Sequence, residues 1–325
     1  MPKAIRIHQT GGVDVLRWED VGVGAPGAGQ ARVRHTAIGL NFIDTYHRSG
    51  LYPVPGLPAV LGMEAAGVVE GVGAGVTDFR AGDRVAYAGG PIGAYSQQRL
   101  IPADRLVPLP EDISDQQAAA AMLKGMTAQY LLRRTYRVQA GDTVLVHAAA
   151  GGVGMILCQW ARHLGARVIG TVGSEQKADL ARQHGSDFPI NYTKESFSAR
   201  VREITGGAGV PVVYDSVGAS TFNESLDCLR PLGLMVAFGN ASGAVPPFDI
   251  LRLSAKGSLF LTRPTLMHYT AKREDLLAAA AELFQVLRSG AVKVRVDQTY
   301  PLAEAARAHH DLESRKTTGS TVLLP

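Results

Sequence analysis

Between residues 143 and 263 short apolar runs alternate with helix-length amphipathic ones, and no other feature of the 325-residue sequence narrows the fold so far. Residues 143–147, 167–172, 189–191, 210–215 and 234–238 read as strands, and 152–164, 174–184, 196–205 and 221–229 as helices. Strand–helix alternation at this spacing predicts a parallel, doubly wound sheet. At its head stands Val144-Leu-Val-His-Ala-Ala-Ala-Gly-Gly-Val-Gly154, an apolar strand that runs through small residues into a helix. Gly151, Gly152 and Gly154, with Val153 between them, let backbone N–H groups approach a pyrophosphate, which the positive end of the following helix also attracts. Glycines also mark ordinary turns. Here they follow a predicted strand and open a helix, which is the context a dinucleotide site needs.

The second strand of the alternation bears on which dinucleotide binds. An NAD site usually sets an Asp or Glu about 20 residues past the glycines, on the ribose 2′-hydroxyl. The run Val168-Ile-Gly-Thr-Val172 ends instead in Gly173, Ser174, Glu175, Gln176 and Lys177. Gly173 and Ser174 leave room for a phosphate, and Lys177 brings a positive charge one turn on. A charge-assisted hydrogen bond is worth about 1.5–3 kcal/mol. Glu175 argues the other way if it turns inward. The expected coenzyme is NADPH.

The rest of the sequence frames this unit. Residues 3–8, 31–38, 65–71 and 84–88 read as strands bounded by Gly, Pro and Asp, and Pro53, Pro55, Gly56 and Pro58 crowd one non-helical loop. An Ala-rich helix is expected over 114–136, opened by Ser114 as N-cap. A long helix near 273–289, a strand at 293–300, a helix near 302–315 and a strand at 320–324 close the chain. The expected fold is α/β: a β-rich domain over 1–122 and 264–325 and a doubly wound nucleotide domain over 123–263.

Composition removes several classes. With 46% hydrophobic and 19% charged residues the chain is neither disordered nor fibrous. Its net charge is 33 − 29 = +4 and its pI about 9.1, but the charges are scattered, which argues against nucleic acid as the main partner. Cys158 and Cys228 are too few for a disulfide framework and suit a reducing compartment. No run reaches the roughly 20 apolar residues of a membrane span. A charged N-terminus without an apolar run points to the cytoplasm.

Several motifs carry a resemblance over essentially the whole chain. Gly62-Met-Glu64-Ala-Ala-Gly67, Gly82-Asp-Arg-Val85 and the glycine cradle resemble the medium-chain dehydrogenase/reductase superfamily. Gly141-Asp-x2-Leu145-x3-Ala149-Ala150-Gly-Gly-x-Gly154-x4-Gln159-x2-Arg162 is similar to the signature of its quinone oxidoreductase (zeta-crystallin) branch. Asn41-Phe-Ile-Asp-Thr-Tyr46, Arg48-Ser-Gly-Leu-Tyr52-Pro, Tyr214-Asp-Ser-Val-Gly218 and Glu313-Ser-Arg-x-Thr-x-Gly319 resemble bacterial NADPH:quinone oxidoreductases. The resemblance implies a GroES-like catalytic domain, a Rossmann nucleotide domain, and reduction of quinones by NADPH.

Zinc enzymes of that superfamily carry a Cys and a His where this sequence has Asn41 and Met63. An amide and a thioether are poor zinc ligands, only Glu64 remains, and the four-Cys structural lobe is missing; no metal site is expected. The chemistry follows from that. Hydride reduction of a simple ketone makes an alkoxide whose conjugate acid has a pKa near that of water, about 15.7. A quinone makes a phenolate-like product, near 10 by analogy with tyrosine. The difference of roughly 6 units at 1.36 kcal/mol each removes about 8 kcal/mol of charge stabilisation from the protein's task. Quinones or activated alkenes suit such a site.

The candidate catalytic residues are Asn41, Tyr46 and Tyr52, expected on first-domain loops facing the nicotinamide. The tyrosines would pack on the flat acceptor, and Asn41 would hold an acceptor oxygen, a water or the coenzyme. Asp44 and Glu64 are read as structural carboxylates. By resemblance, Asn41, Phe42, Thr127 and Tyr130 contact the coenzyme, Tyr192 lies by the adenine and its ribose phosphate, and Ser216, Val217, Phe238, Gly239, Asn240 and Arg263 line the strand ends where ligands bind in open α/β sheets. His147 and Cys158 are read as buried and structural, and His309–His310 as a solvated helix end. An enone or alkenal reductase is the alternative activity. An RNA-binding or structural role, known for some relatives, is disfavoured by the lack of a basic patch with interleaved aromatics. The apolar run at 258–262 is the expected edge of a homodimer.

Overall fold

The computed structural model describes residues 1–325. The chain forms two compact units, one of Met1–Met126, Tyr269–Arg288 and Val294–Pro325, the other of Thr127–His268 and Ser289–Lys293. The sequence-based boundaries at 122/123 and 263/264 lie a few residues away, and Ser289–Lys293, expected in the first domain, falls in the second unit.

The first unit begins with β1 (Lys3–Ile7), β2 (Arg17–Asp20) and the long β3 (Gln30–Leu40). Then comes α1 (Phe42–Ser49), which corrects the expectation of a loop carrying Asn41 and Tyr46. Asn41 is extended at φ −136° and ψ 154° and caps the helix, its N–H donating to the Asp44 carboxylate at 2.9 Å. Gly50 ends the helix at φ 85°, where a glycine is favoured. Asp44 in the first turn and Arg48 in the last match the helix dipole. The spacing Asn-x-x-Asp followed by Gly50 was the sequence signal for this helix.

There follow β4 (Ala59–Val60), β5 (Glu64–Val72), β6 (Arg84–Ala88), β7 (Gln98–Pro102), β8 (Val107–Pro108) and α2 (Asp115–Tyr130). The α-helix stops at Tyr130, short of the expected 136, and Leu131–Thr135 form a π-helical turn.

The second unit is built on β9 (Thr143–Val146), α3 (Gly152–His163), β10 (Arg167–Val172), α4 (Glu175–Gln183), β11 (Phe188–Asn191), α5 (Phe197–Ile204) and β12 (Val210–Asp215). It continues through α6 (Phe222–Ser225), β13 (Leu229–Ala237), α7 (Leu251–Ala255) and β14 (Phe260–Thr262). Its six strands are all parallel, in the order β11-β10-β9-β12-β13-β14. The order reverses between β9 and β12, the Rossmann switch point beside which dinucleotides bind. Leu145, Ile169, Ile190, Val213 and Met235 fill the core of this unit.

After α8 (Leu266–Tyr269), the chain adds α9 (Arg273–Arg288), β15 (Val296–Pro301), α10 (Ala305–Glu313) and β16 (Ser320–Leu324). The last two strands join the first unit's larger sheet, ordered β15-β16-β3-β5-β6-β8 with β7 also on β3. A small sheet, β2-β1-β4, completes it. Alternation along β3 buries Ala31 and Val33 with Ile5, Leu61 and Tyr95 in the same core. No helix is long and apolar enough to cross a membrane.

Candidate active site and nucleotide cradle

A polar centre lies inside the first unit, where β3 ends, α1 begins, β5 starts and α2 passes. Asn41, Asp44, Glu64 and Lys124 are all buried there. Glu64 Oε2 accepts from Asn41 Nδ2 at 2.7 Å and stands 3.4 Å from Lys124 Nζ, while its Oε1 accepts the backbone N–H of Leu123 at 2.6 Å. Lys124 Nζ also donates to the Leu40 carbonyl at 3.2 Å. Burial holds the Glu64 carboxyl above the usual carboxylate range, an effect that Lys124 and the two N–H donors reduce but do not cancel. Gly39 makes the packing possible: a Cβ there would fall 2.2 Å from Glu64 Oε2 and from the Ala119 carbonyl.

The bond to Glu64 fixes the Asn41 carboxamide, because a flip would set its oxygen against a carboxylate. Its Nδ2 also lies 3.5 Å from the Gly39 carbonyl. With its amide hydrogens turned to protein acceptors, what remains of the Asn41 carboxamide is its acceptor oxygen, which takes part in the α1 capping box with the Asp44 backbone N–H. Tyr46 is on α1, and the Tyr52 N–H donates to the Tyr46 carbonyl at 3.0 Å. Their rings meet edge to face at 5.1 Å between centroids, with Phe42 6.4 Å from Tyr46. The two expected tyrosines therefore form one aromatic surface.

Sequence reading missed two members of this region. Lys124 carried no expectation from the sequence. His309, read as solvated, is fully buried: Arg48 Nη1 reaches its Nδ1 at 3.2 Å and Tyr95 Oη its Nε2 at 3.0 Å. Arg48 in turn forms a two-pronged ion pair with Glu313 at 2.8 and 2.9 Å. Helical periodicity shows which residues share a face of α10, and only long-range packing shows that this face is buried.

In the second unit the candidate coenzyme residues are brought to one edge of the parallel sheet. Gly151 caps α3 beyond β9, and a Cβ on Gly154 would lie 2.1 Å from the Ala148 carbonyl, so no side chain fits. Gly152 and Val153 form the first turn of α3. Gly173 and Ser174 follow β10; Ser174 Oγ caps α4 by accepting the Lys177 N–H at 3.2 Å. A Cβ on Gly173 would lie 2.6 Å from the Tyr192 hydroxyl, which places that half-exposed ring against the end of β10. Glu175, which could have favoured NADH, accepts from Asn191 Nδ2 at 2.8 Å and pairs with Lys194 at 2.9 Å. Its charge is already compensated.

At the ends of β12 and β13, Phe238 and Gly239 donate their N–H groups to the Asp215 carbonyl, and a Cβ on Gly239 would meet the Ser216 carbonyl at 2.3 Å. Ser216 and Val217 carbonyls accept from Ala241 and Ser242, just beyond Asn240. Arg263 follows β14 and is exposed. Thr127 and Tyr130 are buried on the last turn of α2. Glycines that admit no side chain, a helix start and Lys177 beside a neutralised Glu175 fit a dinucleotide with a 2′-phosphate.

His147 is buried between Thr171 Oγ1 and Ser225 Oγ, both at 2.8 Å. Burial pushes the Cys158 thiol above the range of reactive cysteines.

The residues do not fit zinc. No group of three or more His, Cys, Asp or Glu side chains converges where it could hold a metal, and Asn41 is bound to Glu64, which faces Lys124 instead.

Comparison with known proteins accords with this geometry. Residues 27–111 match the alcohol dehydrogenase GroES-like domain and residues 152–284 the family described as zinc-binding dehydrogenase. The chain is 56% identical to a quinone oxidoreductase of Pseudomonas aeruginosa over the whole of both proteins. It is 53% identical to a 2-haloacrylate reductase of a Burkholderia species, covering 100% of this chain and 99% of that protein. The crystal structure of Escherichia coli quinone oxidoreductase complexed with NADPH superimposes with a TM-score of 0.98 at 52% identity, over 99% of this chain and 100% of that one. With a GroES-like unit, a Rossmann unit and full-length relatives at this level, the chain belongs to the quinone oxidoreductase family of the medium-chain dehydrogenase/reductase superfamily.

Proposed function

We propose that this protein reduces quinones with NADPH and without a metal. The observation that carries the reading is the Lys124–Glu64–Asn41 centre: Asn41, at a sequence position where zinc relatives carry a Cys, donates to a buried carboxylate that is paired with Lys124. NADPH, when bound, supplies the hydride. Gly151, Gly152, Val153 and Gly154 would hold its pyrophosphate, and Gly173, Ser174, Lys177 and Tyr192 its adenosine phosphate. Ser216, Val217, Phe238, Gly239, Asn240, Arg263, Thr127 and Tyr130 would line the remainder, with Asn41 and Phe42 beside the nicotinamide. The Tyr46–Tyr52 surface would hold a flat acceptor, and Asn41 would orient a hydroxyl or water through its acceptor oxygen. No strong Lewis acid is needed when the product oxygen is phenolate-like.

A second reading is favoured by the 53%-identical 2-haloacrylate reductase: reduction of an activated alkene, in which the proton ends on carbon. The test is oxidation of NADPH and NADH, side by side, with 1,4-benzoquinone, a 2-haloacrylate and a simple ketone. The expected result is rapid turnover with NADPH and quinone and none with the ketone. Turnover with the haloacrylate alone would move the assignment to the alkene; turnover with the ketone would contradict a site without a Lewis acid.

We also infer a homodimer through β14, an edge strand on which Phe260 is 60% and Leu261 40% exposed. Uncovered apolar edges promote pairing with another chain. A monomeric mass in light scattering at micromolar concentration would refute it. Two buried free cysteines fit a cytoplasmic location.

A further inference from the structure

We propose that Asp44 stores the proton that the reduced acceptor takes up, and that the Arg48–His309–Tyr95 chain fixes which carboxyl oxygen carries it. The inference rests on the quinone-reduction reading above. It replaces the reading of Asp44 as a purely structural carboxylate.

The direction of every hydrogen bond in the chain is forced from its outer end. Arg48 can only donate, so His309 Nδ1, 3.2 Å from Arg48 Nη1, is an acceptor. The neutral ring then carries its hydrogen on Nε2 and donates it to Tyr95 Oη at 3.0 Å. Tyr95 accordingly donates its own hydrogen to Asp44 Oδ2, also at 3.0 Å. The Asn41 N–H donates to the same oxygen at 2.9 Å. Oδ2 is thus an acceptor twice over, and a proton on this carboxyl belongs on Oδ1. That oxygen is buried and has no protein partner. Protonated, it is a donor in want of an acceptor, three residues from Asn41 and two from Tyr46.

A second comparison shows why Asp44, and not Glu64, keeps the proton. The charged groups that act on Asp44 are Lys124 on α2 and Glu64 on β5, with Tyr95 on the segment before β7 as its hydroxyl donor and His309 and Arg48 behind Tyr95. Glu64 is bound on both oxygens by three donors, one of them the Lys124 ammonium, and takes the anionic role. Asp44 is buried with its two donors on one oxygen, and burial followed by the Glu64 charge pushes its carboxyl up to about 7.

A quinone that has received a hydride is a hydroquinone monoanion. In the step proposed, one O–H bond forms on that anion as the Asp44 O–H bond breaks, leaving a neutral hydroquinone and an Asp44 carboxylate. No electrons change centres, and solvent returns the proton after release. The transfer runs through an intervening hydroxyl or water, which gives one hydrogen to the anion as it takes the hydrogen from Asp44; Asp44 itself does not touch the acceptor and is a positioning residue.

Asp44→Asn is the discriminating variant, because an amide reproduces the neutral acid: its oxygen accepts from Tyr95 and Asn41 while its NH2 takes the place of Oδ1–H. In the cofactor-free protein, melting temperature is measured against pH for both chains. The wild type should lose stability relative to Asp44→Asn as pH rises from about 4 to about 7 and no further above that; a difference that does not change with pH would overturn the proposal. In turnover with NADPH and 1,4-benzoquinone, wild-type kcat should fall as pH rises through about 7. Asp44→Asn should lose that limb and about 10- to 100-fold in kcat, with NADPH affinity unchanged. Tyr95→Phe removes a donor to the carboxylate and should move the limb to higher pH. An Asp44→Asn enzyme with wild-type kcat and limb would refute the proposal alone. A wild type inert toward quinones would instead overturn the functional reading and take this proposal with it.

Discussion

In the second unit the candidate ligand contacts are backbone groups, glycines and strand-end residues along one sheet edge, whereas in the first unit the candidate chemistry lies in ionisable side chains drawn from β5, α1, α2 and α10 and buried together. The first arrangement is shape. A phosphate is met by N–H groups and a helix start, so what the sequence must supply is the absence of side chains, as at Gly154. The second is charge management. A carboxylate, an ammonium and a raised carboxyl are held out of water, and each must be answered by a partner far away in sequence. Recognition of the coenzyme therefore depends on space, and acceptor chemistry on electrostatic pairing.

Perturbations can break this contrast in order of size. Gly154→Val should be the most damaging to coenzyme binding, since its Cβ alone would lie 2.1 Å from the Ala148 carbonyl. NADPH titration by calorimetry should show at least about 100-fold weaker binding, or about 2.7 kcal/mol. Wild-type affinity would mean that the cradle is not the pyrophosphate site.

Lys124→Met should act on the other side of the contrast. It strands Glu64 without its cation, and breaking one partner of a buried pair costs about 3–5 kcal/mol. Urea unfolding of the single variant and of Lys124→Met/Glu64→Gln should show that the double variant recovers part of the loss. Additive losses would contradict a coupled pair.

Lys177→Ala should be milder and selective, weakening NADPH by about 10-fold or more and NADH little, in line with one charge-assisted bond. Equal losses for both coenzymes would remove Lys177 from the phosphate site.

The smallest expected effect is a slope. Burial, joined at His309 by the Arg48 charge, holds both His35 and His309 near 3 in the folded protein against 6.5 when exposed. A depressed folded value means stability that is present above pH 6.5 and lost as pH falls toward 3. His309→Gln should flatten that acid slope without changing stability at pH 8 by a comparable amount. An unchanged slope would show that His309 does not take up a proton on unfolding.

The same contrast explains what was legible in the sequence. The parallel sheet was readable because its strands are local apolar runs with crossover helices between them: the expected 167–172 and 210–215 are β10 and β12. The cradle was readable because its three glycines fall within four residues, 151–154. Helix α1 was not read, although its cap pair and terminal glycine were present, since Pro53, Pro55 and Pro58 nearby drew the segment toward a loop. Asn41 was identified through its motif, but its amide orientation depends on Glu64, 23 residues away. His309 was misjudged for the same reason: its partners Arg48 and Tyr95 stand 261 and 214 residues distant, and no local pattern reports them.

The measurement that tests the account most directly is NADPH oxidation by 1,4-benzoquinone after exhaustive chelation, with the metal content of the protein determined in the same preparation. The Lys124–Glu64–Asn41 centre predicts undiminished turnover in metal-depleted protein. Activity that disappears on chelation and returns with added zinc would contradict it.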